Sequence, residues 1–89
     1  MTVYVVTIDF DLNDLEPEYG RPVFDSVHTT RETAEKRCSE IMQGVNLTGS
    51  IKSAFDTYQW KLEHTDRGPY NYIPYYFTTE IIPVEIEKN

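Results

Sequence analysis

Val27–Met42, VHTTRETAEKRCSEIM, carries a strand end, a helix cap and an amphipathic helix in direct succession. Thr29 followed three residues later by Glu32 has the form of a capping box, in which hydroxyl and carboxylate each satisfy a free backbone N–H. Glu32 and Glu35 occupy the first turns, where the helix dipole favours negative charge. Ala34, Cys38, Ile41 and Val45 recur at helical spacing with Met42 beside them, while Arg31, Arg37 and Glu40 fall outside this stripe. Gly44 follows the last full turn and suits the C′ position, where a positive φ closes a helix. The spacing predicts a helix over 30–43.

Working outward toward the N-terminus, residues 2–10, TVYVVTIDF, are β-branched and aromatic. Tyr4, Val6, Ile8 and Phe10 fall on one face and Val3 and Val5 on the other. Apolar residues on both faces indicate a central strand. Residues 22–28, PVFDSVH, form a second strand, with Pro22 at its start, where a missing N–H does no harm. The short connection between them makes an antiparallel pair the simplest arrangement.

On the C-terminal side, residues 50–64 admit two periods. Ile51, Phe55, Tyr58 and Leu62 repeat as a helical stripe, whereas Tyr58, Trp60 and Leu62 alternate as in a strand. The helical stripe is the longer, so a second helix is expected, with Trp60 off its apolar face. Residues 75–87 then form the last strand. Ile82, Val84 and Ile86 share one face, and Tyr75, Phe77, Thr79 and Ile81 share the other. Pro83 has no N–H for a ladder and implies an edge, a bulge or a break. The expected fold is α+β in the order β-β-α-α-β: a small, mostly antiparallel sheet with two helices on one face. At 89 residues, a single domain spanning 1–89 is expected.

The net charge of −7 disfavours direct binding to nucleic acid or to an anionic membrane surface. It suits a partner with a basic surface, or imitation of a polyanion. The single cysteine rules out an internal disulfide, and Cys38 on the helical stripe has the placement of a small core residue. No apolar run approaches the ~18–20 residues needed to span a membrane, and no signal-peptide pattern opens the chain. A cytoplasmic location is the expectation.

Chemistry-bearing patterns are sparse. His28, His64 and Cys38 stand at no paired metal-ligand spacing. Asp9-x-Asp11-x-Asn13 has the start of a calcium loop, but Asp14 and Gly20 occupy the positions where such a loop needs Gly and Glu. No glycine-rich phosphate loop is present. No catalytic residue, metal or cofactor is assigned, and an enzyme is not expected.

Two stretches remain as contact candidates. Asp9, Asp11, Asp14, Glu16 and Glu18 place five carboxylates in ten residues without a base. Tyr58, Trp60, Tyr70, Tyr72, Tyr75, Tyr76 and Phe77 crowd into twenty residues, and Tyr and Trp are enriched at binding hot spots. The expected partner-binding residues are therefore Asp11, Asp14, Glu16, Glu18, Trp60, Tyr70, Tyr72 and Tyr75. The competing use of these rings is completion of a small core.

The opening Val3-Tyr4-Val5-Val6-Thr7 is one of three features resembling a loose group of small uncharacterised domains from phages and bacteria. The others are the junction residues Val27, Thr29, Thr30, Arg31, Glu32, Ala34 and Glu35, and the closing Ile82-Pro83-Val84-Glu85-Ile86. The resemblance covers about half the chain and rests on a cap and two strands. His28 departs from it, since the group often has an aromatic there. The group offers no catalytic residues to transfer. What the resemblance and the charge imply is a small acidic protein-binding module, of the kind that inhibits a host protein by covering its surface or mimicking a polyanion. The alternative is a small-ligand or nucleotide pocket in which Trp60 and Tyr72 stack on the ligand.

Overall fold

The computed structural model describes residues 1–11, 22–64 and 75–87. Three strands, β1 (Thr2–Asp11), β2 (Val23–His28) and β3 (Tyr76–Glu85), form an antiparallel sheet in the order β2-β1-β3. The helices α1 (Arg31–Met42) and α2 (Gly49–His64) lie between β2 and β3 in the chain. The order is β-β-α-α-β and the class is α+β, as the sequence predicts. β1 is the central strand, in keeping with its apolar residues on both faces.

Both helices pack on the face that presents Tyr4, Val6, Ile8 and Phe10. Val6, Ile8 and Phe10 are essentially sealed there, together with Phe77 from β3, Ala34 and Ile41 from α1, and Ala54 and Phe55 from α2. Phe77 lies at the centre of the aromatic packing. Its ring stacks with Phe10 and with Tyr58, each at 6.0 Å between centroids, and meets Phe55 edge-on at 5.4 Å. Such pairs contribute about 0.5–1.5 kcal/mol each beyond the area they bury.

The start of α1 is shifted by one residue from the capping box read in the sequence. Thr30, not Thr29, is the N-cap, and its Oγ1 accepts from the Thr33 N–H at 3.3 Å. Thr33 returns a bond through its own hydroxyl to the Thr30 carbonyl at 3.0 Å. Thr30 thus takes the cap role expected of Thr29, because it is the last residue with extended backbone, while the Thr33 hydroxyl bonds a carbonyl and does not supply the reciprocal bond to an N–H expected of Glu32. At the other end Gly44 takes φ +76°, the left-handed closure expected of it. Val45 and Met42, placed on or beside the stripe by spacing, are exposed, because the helix ends before Val45 can turn inward.

Arg37 is the larger correction. Spacing puts it off the apolar stripe, yet it is largely buried, because β2 brings Asp25 beside it. Its Nε and Nη2 donate to the two carboxylate oxygens of Asp25 at 2.8 and 2.9 Å, and Nη1 and Nη2 also reach the carbonyls of Val45 and Asn46. One guanidinium thereby ties β2, α1 and the α1–α2 connection together. Asp25 is available for this because the β1–β2 register shifts between Val6 and Thr7, leaving Asp25 as the extra residue of a bulge on the helix side. Hydrogen bonding to Arg37 holds the Asp25 carboxyl below its usual value of 3.8, against the opposing effect of burial.

Candidate functional site

The two faces of the sheet are unequally covered. Cα partners across a ladder point to the same side, so the register gives the composition of the face away from the helices. It runs in rows: Val3 with Val84; Val27, Val5 and Ile82; Phe24, Thr7 and Glu80; Asp9 with Thr78; Asp11 with Tyr76. The first two rows are wholly apolar, the third is mixed, and the last two are polar and acidic. Among the described residues the helices contribute nothing to this side, and its flanking apolar members are exposed: Phe24 is 62% exposed, Val27 51%, Ile82 39% and Val84 39%, whereas Val3 and Thr7 on the central strand are buried.

The polar end of this open face contains two buried oxygens without a hydrogen-bond partner, Thr7 Oγ1 and Asp9 Oδ1. An unsatisfied buried oxygen costs about 1–3 kcal/mol. Glu80 stands opposite Thr7. None of the three strands contains a Lys or Arg. The negative field is felt locally: desolvation first, and then the carboxylates of Asp9 and Asp11, push the Tyr76 hydroxyl above its ordinary pKa.

Of the contact residues expected from the sequence, Asp11 is exposed and ends β1, pairing with Tyr76, rather than opening a loop. Trp60 is exposed on α2, off the apolar stripe as expected, and its ring stacks on His64 at 4.3 Å. Tyr75 is a core residue. It is 5% exposed, meets Tyr58 edge-on, and donates from its hydroxyl to the Lys61 carbonyl at 2.8 Å. Its ring is therefore spent on packing α2 and is withdrawn from any contact surface. Trp60 and Tyr75 point in different directions, one outward and one into the core. Asp14, Glu16, Glu18, Tyr70 and Tyr72 lie outside the described residues.

The exposed apolar residues of this face, Phe24, Val27, Ile82 and Val84, were not among the contact candidates in the sequence. Their signal was present in the two-sided apolar pattern of β1 and in the Ile82/Val84 face of β3. Among the described residues both helices lie on one side, and neither covers that second apolar face.

A second feature is the group at the bulge. Ser26 Oγ donates to Asp25 Oδ2 at 2.8 Å and lies 2.8 Å from His28 Nε2. The residue types are those of a hydrolytic triad, but the wiring differs. In a triad the carboxylate orients the imidazole, whereas here Asp25 accepts from Ser26 and from Arg37. With the Ser26 proton on Asp25, His28 Nε2 is the donor toward Ser26. The group locks the bulge.

A cavity of about 180 Å³ adjoins the bulge, lined by Ile8, Phe24, Asp25, Arg37, Leu47 and Ile51 among others. Trp60 is not part of its lining. Among the described residues no three His, Cys, Asp or Glu side chains are grouped as a metal site, and no helix is long and apolar enough to cross a membrane. Comparison with protein-family models, with curated proteins and with solved structures returns no match.

Proposed function

We propose that this chain is a small intracellular protein-binding module, working by contact rather than catalysis, that lays the open side of its sheet on a partner carrying apolar side chains next to Lys or Arg. What supports the reading is the graded open face: contiguous exposed Val, Ile and Phe side chains at one end, carboxylates at the other, and no cation within the sheet. An exposed apolar patch rimmed by polar residues is a common mark of an interaction site. The acidic end, with the net charge of −7, favours a basic partner. Where that partner handles nucleic acid, carboxylates such as Asp9, Asp11 and Glu80 stand in for phosphates, and occupation of the surface inhibits it.

The small-ligand reading has less behind it. The cavity at the bulge is smaller than the ~300–1,000 Å³ usual for ligand sites. Its strongest donor, Arg37, already serves Asp25 and two carbonyls.

The test is a pull-down from bacterial lysate with the tagged chain and with the Ile82→Lys/Val84→Lys variant, each washed at low and at high salt. The reading expects a partner held by the parent chain, lost from the variant and weakened by salt. Equal capture by both proteins, or no specific capture by either, sinks it.

A further inference from the structure

We infer that the open face receives one amphipathic helix of a partner protein, seated along the strands with its apolar stripe over Val5, Val27, Ile82 and Val84 and its Lys or Arg residues over the Asp9–Glu80 end. This rests on the binding-module reading and specifies the shape and chemistry of the partner.

Three observations select this occupant. The first is that strand addition is obstructed at both edges. β3 carries Pro83 opposite Tyr4, with no N–H to offer a new ladder. β2 is bulged at Asp25, and that residue is clamped by Arg37 against the α1–α2 connection. A partner therefore covers the face instead of extending the sheet.

The second is size. Three strands at about 4.8 Å spacing make a face about 14 Å wide, and ten residues run about 33 Å along it. One helix is about 10–12 Å across with its side chains, and about 20 residues cover that length.

The third is charge. A second copy of this chain cannot complete the face. With no Lys or Arg in the strands, stacking two such faces in either direction leaves Asp9 and Glu80 of both copies without a cation. A partner helix bearing Lys or Arg at one end supplies that cation.

The experiment uses two fluorescein-labelled 18-residue helical peptides with Leu at i, i+3, i+4 and i+7 positions. One carries Lys in its first turn and the other in its last, and a scrambled peptide of the same composition is the control. Binding is followed by anisotropy, and the contact by amide shifts of the isotopically labelled chain. The expected result is binding by at least one ordered peptide, with shifts concentrated at Val3, Val5, Thr7, Val27 and Ile82. Asp9→Asn with Glu80→Gln should weaken that binding about tenfold and flatten its salt dependence. Binding by the scrambled peptide as strong as by either ordered one overturns the inference. So do shifts confined to other surfaces, or affinity indifferent to the Asp9/Glu80 change.

Amide spectra of each variant confirm that the fold is retained, so lost binding reports on the face. If no ordered peptide binds while Ile82→Lys/Val84→Lys still abolishes capture from lysate, the helix inference fails and the module reading stands. If capture ignores that variant, both fall.

Discussion

The two sides of β1 carry similar side chains and meet opposite fates. Val6, Ile8 and Phe10 are sealed beneath two helices, whereas Val5, next in the chain to Val6, belongs to the opposite face, where its neighbours Val27 and Ile82 stay exposed. Hydrophobicity therefore does not distinguish the core of this protein from its exposed face. Cover does. The covered side spends its apolar area on folding, and the open side retains area that a partner can bury.

Substitutions on the two sides should separate accordingly. Phe77→Ala removes the ring at the centre of the aromatic packing and should cost about 4 kcal/mol, a large share of the ~5–15 kcal/mol typical of a domain. Denaturant unfolding measures this, and a loss below ~1 kcal/mol would show the covered side to be loosely packed.

Arg37→Ala strands the Asp25 carboxylate and frees the Val45 and Asn46 carbonyls, with an expected loss of about 3 kcal/mol. The same pair should shape the acid limb of stability. The Asp25 pKa is lowered in the folded chain, so the stabilisation it contributes is complete above its usual value of 3.8 and drains as pH falls through the lower folded value. Comparing unfolding free energies from pH 6 downward, Asp25→Asn should show a flatter acid limb than the parent chain.

Gly44→Ala tests the joint between the helices. A Cβ there would come within 2.6 Å of Phe55 Cε1, and φ +76° disfavours any side chain. Strain and the displaced ring together should cost about 2 kcal/mol. Thr30→Ala should cost about 1 kcal/mol as the loss of the α1 cap, whereas Thr29→Ala should be near neutral. The smallest effect on stability is expected on the open face. Ile82→Lys should change unfolding free energy by no more than about 0.5 kcal/mol, the range of ordinary surface substitutions, while removing partner binding. A large destabilisation by Ile82→Lys would mean that this face is covered within the chain after all.

Much of this fold was legible in the residue pattern. The β-branched run of β1, the long helical stripe of α2 and the glycine after α1 each act locally, and each element stands within a residue or two of its expected limits. Trp60 fell outward because it is off that stripe. Tyr75 was harder to place: in the sequence it is one ring among seven, and only the approach of α2 brings the Lys61 carbonyl to its hydroxyl. Arg37 was misplaced for the same kind of reason. Helical spacing defines its position on α1, but nothing within α1 reveals a bulge in β2 that delivers Asp25.

The sequence by itself determined the elements, their order, the central position of β1 and the acidity of the chain, because period, capping and charge are properties of neighbouring residues. Tertiary structure alone decided which of two apolar sheet faces became core. Both helices emerge from the β2–β3 connection onto the same side, so among the described residues the helical layer that excludes water covers one face of the sheet and not the other.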